Sequence, residues 1–187
     1  IHIKLDTGMH RLGFAPEDVP ALIKRLKGQN AVIPRSVFSH MVGSDSELFD
    51  AFTRKQIAAF EEASTLLQNA FPHKILRHIC NSAGIERFPE AQYDMVRLGI
   101  GLYGVSPIDN SVINNVSTLK TTILQIRNVP ADDTVGYSRK GHLTRDSRIA
   151  AIPIGYADGL NRHLGNGKGY CLVNGQKASY VGNICMD

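Results

Sequence analysis

The stretch from Ile1 to Phe14, IHIKLDTGMHRLGF, decides the fold. Ile1, Ile3 and Leu5 alternate with His2, Lys4 and Asp6, a period of two that specifies a strand with one buried face. Asp6-Thr7-Gly8 breaks that strand, with Gly8 supplying a backbone conformation that a side chain disfavours. Arg11 follows at once, so Lys4, Asp6 and Arg11 gather at the carboxyl end of one strand, the end that carries the chemistry in α/β folds. An ordinary solvated turn would show the same three charges, and the choice falls to the rest of the chain.

A strand that starts at the first residue, and a close on Cys185-Met186-Asp187 directly after another strand-like run, read as two cut ends. The expectation is the middle of a longer protein.

Outward from the first strand, Pro16 suits the opening of a helix in which Val19, Leu22, Ile23 and Leu26 recur at helical spacing. Val37 and Phe38 lead into Ser39-His40-Met41, a second short apolar run that ends in polar groups. A long helix is predicted from Ser46 to Ala70, stopped by Pro72, with Phe49, Phe52, Phe60, Leu66 and Leu67 as its core stripe. Ile75 to Cys80 reads as a third strand and Met95 to Ile100 as a fourth. Polar residues recur at the strand ends: Lys4 and Arg11, then His40, then Asn81 and Ser82, then Arg97. Such recurrence is what a (β/α) barrel produces when one ligand lies across its top face, and four strands make half a barrel.

From Leu119 the pattern changes. Leu119–Val129, Arg148–Ile154, Gly169–Val173 and Lys177–Ile184 are β-rich, Asn174-Gly175 is a hairpin signal, and no helix-period segment remains. The fold class expected is therefore α/β, half of a (β/α)8 TIM-type barrel over residues 1–110, followed by part of an all-β C-terminal domain over 119–187.

Composition narrows the function. The chain is 43% hydrophobic and 20% charged, as in an ordinary globular protein. Its formal charge of +4 comes from scattered Lys and Arg residues, which implies no nucleic-acid surface and at most attraction for small anions. Cys80, Cys171 and Cys185 are odd in number with no C-x-x-C spacing, against both a disulfide framework and a zinc site, and in favour of a reducing cytoplasm. No apolar run approaches the ~18 residues of a membrane-spanning helix.

Six collinear motifs then carry a resemblance. Lys4–Gly13 (KLDTGMHRLG), Cys80–Ala83 (CNSA), Val96–Gly104 (VRLGIGLYG), Val135–Tyr137 (VGY), Pro153–Gly159 (PIGYADG) and Val181–Asp187 (VGNICMD) together resemble the pyridoxal-phosphate-dependent alanine racemases. The resemblance implies an isomerase that interconverts L- and D-alanine by two-base proton transfer, supplies D-alanine for peptidoglycan, and works as a homodimer with composite sites. By the same resemblance Arg97 hydrogen-bonds the pyridine nitrogen of the cofactor, His78 supports Arg97, and His40 lies against the pyridine ring. Asn81, Ser82 and the backbone amides of Gly99 and Ile100 hold the cofactor, with Ser82 and the two amides on its phosphate. Tyr137 is the catalytic acid/base, reaching the site from the partner subunit, and Arg11 is the cation that favours its phenolate. Arg11 also matches the position on the substrate carboxylate, Met186 contacts substrate through its backbone, and Asp45, Tyr156 and Arg162 line the access corridor.

Chemistry alone offers Lys4 as a Schiff-base lysine, because it sits at a strand end among charges. The resemblance instead makes Lys4 the supporting lysine, carbamylated in some members, that holds Arg11. It places the Schiff-base lysine in a segment before this sequence, so these 187 residues alone are expected to be inactive. Asn183 departs from the family, which often has arginine at that corridor position. Two rivals stand beside this reading: a broader racemase acting on serine or other amino acids, and a non-catalytic racemase-like domain fused to a cell-wall ligase.

Overall fold

In the computed structural model, which describes residues 1–187, strands β1 (His2–Lys4), β2 (Ser36–Phe38) and β3 (Leu76–His78) pair in parallel in that order. The register sets His2 opposite Ser36 and Leu76, and Lys4 opposite Phe38 and His78. Since alternate residues share a face, His2, Lys4, Ser36, Phe38 and His78 line one side of the sheet. Ile3 and Val37 point to the other, where they join Leu5, Ile75 and Ile79 in the core. Helices α1 (Val19–Lys27) and α2 (Asp50–Ala70) cover that core with Val19 and Leu26 from one and Phe60, Ala63 and Leu67 from the other. Phe60 and Leu67 are fully buried, worth about 1.5–3 kcal/mol each. The helices take one face of the sheet and leave the polar face free.

Two expectations change here. In α2 the buried stripe is Thr53, Gln56, Phe60, Ala63, Ser64 and Leu67, whereas Phe49, Phe52 and Leu66 are exposed. Buried Gln56 is satisfied by the backbone, accepting from the Val42 N–H (3.1 Å) and donating to the His40 carbonyl (3.3 Å). A polar residue thus holds a core position by bracing the loop after β2. The second change concerns Met95–Ile100, which forms no strand and ends in a 3-10 turn at Ile100–Tyr103. One backbone bond, Arg97 N–H to Cys80 O (3.1 Å), ties the segment to the β3 region, and Asp94 just before it donates its N–H to Arg77 O (3.1 Å). The Asp94 carboxylate accepts the Arg77 N–H (2.9 Å), leaving that donor nothing for a regular ladder.

The chain divides into two compact units, Ile1–Ser117 and Thr118–Asp187. The second contains antiparallel pairs only: β4 (Gln125–Val129) with β7 (Ser147–Ala151), β5 (Thr134–Val135) with β6 (Gly141–His142), and β8 (Tyr170–Val173) with β9 (Gln176–Ser179). Asn174 and Gly175, at φ 49° and 78°, turn the last hairpin in the left-handed pair of conformations that a two-residue loop requires. The β9 ladder stops at Ser179, short of the expected Ile184, because the Tyr180 and Gly182 carbonyls accept the N–H groups of Gly167 (2.8 Å) and Asn166 (2.7 Å) instead. No α-helix occurs in this unit; its helical turns, Tyr137–Arg139, Tyr156–Asp158 and Arg162–Leu164, are three residues each.

Candidate active site

Arg97 lies beyond the carboxyl ends of β2 and β3, and its guanidinium gathers the backbone there. Nη2 donates to the carbonyls of Ser39 (2.6 Å) and Ile79 (3.1 Å) and to His40 Nδ1 (3.2 Å). Nη1 donates to His78 Nδ1 at 2.6 Å and to the His78 carbonyl at 3.4 Å. A guanidinium has only donors, so both imidazoles must present an unprotonated Nδ1. Consistent with this, burial and then the Arg97 and His2 charges hold the His78 pKa down to about 4. His78 also stacks on Phe38, with ring centroids 5.0 Å apart and planes 2° from parallel. Nε–H is the one donor of Arg97 that meets no group of the chain.

Beside this, the β3 strand runs into α3 (Ser82–Arg87), capped by Asn81, whose Oδ1 accepts the Gly84 N–H at 2.9 Å and the Ser44 hydroxyl at 2.8 Å. The Asn81 amide donates to Met41 O (3.2 Å) and so ties the β2 and β3 loops together. Ser82 Oγ accepts the N–H groups of Gly99 (3.0 Å) and Gly101 (3.1 Å). One hydroxyl therefore draws backbone donors of the 99–101 turn to the start of a helix, an arrangement suited to an anion. Cys80 is buried beside these residues: its thiol donates to Ala91 O at 3.2 Å and burial pushes its pKa up to about 11.

Cations converge on the same end of the sheet. His40 is held below the usual imidazole range, first by burial and then by the charges of Arg97, Arg11 and Lys4. Lys4 Nζ lies 6.0 Å from the centroid of the Phe38 ring, and Arg97 lies over the same ring at 5.3 Å. The ion pairs of the chain, Asp6 with His10, Arg54 with Glu90, Lys74 with Asp94, Arg77 with Glu61 and Arg87 with Asp50, include none of Lys4, Arg11 and Arg97. The loop that carries Arg11 is shaped by Asp6, whose Oδ1 accepts the N–H groups of Gly8 and His10, both at 3.0 Å, with Gly8 at φ 135°. Those bonds hold the Asp6 carboxyl below its usual range. Asp45 is exposed in the loop after β2.

Tyr137, Tyr156, Arg162 and Met186 belong to the second unit. Tyr137 is 73% exposed, on a turn where Ser138 and Arg139 both take left-handed backbone conformations and the Arg139 Nε donates to Thr134 Oγ1 at 2.9 Å. Such conformations cost of order 1–3 kcal/mol each and are concentrated at functional sites. Met186 O accepts the Ala157 N–H (3.0 Å), and Cys185 O the Tyr156 N–H (2.9 Å), so the chain end runs against the 156–158 turn. Arg162 lies over the Tyr156 ring at 5.2 Å, and Asn183 Oδ1 accepts from Asn166 Nδ2 at 3.0 Å.

Comparison with known proteins is decisive for the family. Residues 1–107 match the alanine racemase N-terminal domain and residues 116–187 the alanine racemase C-terminal domain. The chain belongs to the alanine racemase family. The alanine racemase of Fusobacterium nucleatum is 40% identical over 100% of this chain and 52% of its own length, and that of Aeromonas hydrophila 41% identical over 99% and 51%. Among solved structures, alanine racemase from Streptomyces coelicolor superposes with a TM-score of 0.86 at 27% identity, covering 100% of this chain and 51% of its own. Alanine racemase from Bartonella henselae, solved with covalently bound pyridoxal phosphate, gives 0.77 at 32% identity, covering 99% and 50%. The chain spans about half the length of the relatives it matches. It is half of a (β/α)8 barrel followed by part of the family's β domain.

The residues of this chain fit pyridoxal phosphate on their own chemistry. The unpaired cations Lys4 and Arg11 suit an anionic group, the start of α3 beside the 99–101 turn suits a phosphate that would compete with Ser82 Oγ for the Gly99 N–H, and a fixed guanidinium with Nε–H to spare suits a ring nitrogen. Several contributors escaped the sequence reading: the Ser39 and Ile79 carbonyls that hold Arg97, the Gly101 amide on Ser82, and Ser36 and His2 behind His78. The adjacent apolar pair Val37-Phe38 hides any period-two signal for Ser36, and carbonyl roles leave no mark in side-chain identity.

Proposed function

We propose that the intact protein is a pyridoxal-phosphate-dependent alanine racemase that interconverts L- and D-alanine by two-base proton transfer, in the cytoplasm, supplying D-alanine for peptidoglycan. The observation that supports it best is Arg97, locked by Ser39, His78, Ile79 and His40 with its Nε–H left over. Bound pyridoxal phosphate supplies an electron-withdrawing ring that makes the α-hydrogen of an attached amino acid acidic.

Arg97 offers the ring nitrogen a hydrogen bond but cannot surrender the proton, which moderates the electron sink and favours return of the α-proton over side reactions. Ser82 and the amides of Gly99 and Ile100 bind the phosphate, Asn81 and His40 frame the ring, and Lys4 supports Arg11, which binds the substrate carboxylate. Met186 contacts substrate through its backbone. Tyr137 Oη takes or returns the α-proton on one face, contributed from the second subunit of a homodimer. Asp45, Tyr156 and Arg162 line the approach. The opposite base is a lysine outside these residues, so the 187 residues by themselves turn nothing over.

The test is stereochemical. Intact protein loaded with pyridoxal phosphate and given L-alanine should generate D-alanine until the two are equal, as followed by chiral chromatography. Serine and other amino acids run in parallel define substrate breadth. No D-alanine from cofactor-loaded intact protein would refute the reading.

A further inference from the structure

Behind Arg97 the hydrogen bonding does not stop at His78. His78 Nε2 lies 3.3 Å from Ser36 Oγ, and Ser36 Oγ lies 2.7 Å from His2 Nδ1. Strand register produces this chain, because His2 and Ser36 are direct partners across β1 and β2, and Ser36 and His78 lie two residues out of register on the same face of β2 and β3. Ser36 is fully buried and His78 nearly so, while His2 is exposed at the start of β1.

The bonds have one consistent direction. Arg97 can only donate, so His78 Nδ1 accepts. A neutral imidazole then carries its proton on Nε2, and the only acceptor in reach is Ser36 Oγ. Having accepted, the Ser36 hydroxyl turns its own proton to His2 Nδ1. Removing Ser36 leaves the His78 N–H buried without a partner, and the ring is then free to rotate or change tautomer, which takes the acceptor away from Arg97.

We infer that Ser36, with His2 behind it, is a positioning residue for Arg97, fixing the tautomer and orientation of His78 that in turn hold the guanidinium. The inference rests on Arg97 as the group that meets the cofactor ring. It adds a link on the same polar face of the sheet, toward the amino ends of its strands.

The experiment uses intact protein labelled with ring ¹⁵N histidine, as wild type and as Ser36→Ala, Ser36→Thr and His2→Phe. In the wild type the His78 signals should show Nδ1 unprotonated and Nε2 protonated, with and without pyridoxal phosphate. Ser36→Ala should move them toward an averaged tautomer and lower kcat roughly 10-fold or more at nearly unchanged KM for alanine, as misplacement of a reacting group does. Ser36→Thr, which restores the hydroxyl, should recover both signatures, and His2→Phe at its exposed site should give a smaller change in the same sense. Unchanged His78 signals in Ser36→Ala, whatever happens to kcat, would overturn the inference, as would a loss of kcat that Ser36→Thr does not restore. If Ser36→Ala does not fold, unchanged signals in His2→Phe decide against it. An inactive wild type would end the racemase reading instead, and the ¹⁵N signals of His78 would still decide the link to Ser36.

Discussion

Arg97 Nη1 and His78 Nδ1 lie 2.6 Å apart, a contact that only a neutral imidazole can accept. The arrangement makes the protein sensitive to acid. An unfolded His78 titrates near 6.5, whereas the folded one is held down to about 4 by burial and the neighbouring Arg97. Between those values the unfolded chain binds a proton that the folded one refuses. The His78 contribution to stability is therefore whole above pH 6.5 and is lost as pH falls toward 4, at no more than about 1.4 kcal/mol per pH unit for one proton. His78→Phe keeps a ring over Phe38 and removes the titration. Unfolding of the intact apoprotein followed at pH 7, 6 and 5 should show a shallower acid loss in the variant, and parallel curves would contradict this account.

Arg97→Lys separates charge from geometry. A lysine keeps the positive charge, but three N–H donors on a flexible stem cannot serve the Ser39, His78 and Ile79 carbonyls and also face a ring. Each buried carbonyl left unpaired costs about 1–3 kcal/mol, so the variant should lose stability before any ligand is added and should also bind pyridoxal phosphate more weakly. Denaturation of the apoprotein and cofactor titration measure the two losses. A variant as stable as the wild type would show that the carbonyl contacts contribute nothing.

How far such detail was legible in the sequence depended on where each interaction is written. Alternation in IHIKLD gave β1 and its buried face, since period-two burial is carried by side chains. The buried stripe of α2 departs from its expected place because Gln56 reads as solvent-facing on side-chain type alone yet satisfies two backbone groups in the core, while Phe49 and Phe52 read as core and are exposed. Met95–Ile100 looked like a strand by its apolar content, and the Asp94 carboxylate that takes a ladder donor acts through one side-chain contact that no pattern predicts. In the second unit the expected first β-rich run begins before its ladder, because Leu119 and Leu124 are exposed in this chain and their hydrophobicity does not mark burial here. At the site, Arg97 and Ser82 stood out through motif resemblance, whereas the carbonyl cage around Arg97 is made of atoms every residue possesses.

The Asn174-Gly175 turn is a purely local test. Gly175 sits at φ 78°, a conformation that costs a residue with a side chain roughly 1–2 kcal/mol. Nothing lies near the position a Cβ would take, so Gly175→Ala isolates backbone strain from packing. Hydrogen exchange of the Tyr170–Val173 and Gln176–Ser179 amides should accelerate roughly 10-fold, following about 1.4 kcal/mol, with the β1–β3 amides unchanged. Unaltered protection in the hairpin would show that the turn does not limit its opening.

Tyr137 tests the chemistry itself. At 73% exposure its ring supports little packing, so Tyr137→Phe should change stability by no more than about 0.5 kcal/mol while removing the only ionisable group at that position. A positioned acid/base group typically contributes roughly 100- to 10,000-fold, far beyond any such loss. Complete racemisation needs a proton taken on one face and returned on the other, so both L-to-D and D-to-L rates should fall together. Exchange of the α-hydrogen with solvent need not fall equally. The enantiomer whose proton is taken by the opposite base, D-alanine in this assignment, should retain part of its exchange, and L-alanine should lose it. Deuterium incorporation from heavy water, measured separately from each enantiomer with the intact cofactor-loaded protein, reads this asymmetry directly. A tyrosine that merely packs would leave both exchanges near wild type, and that result would end its assignment as a base.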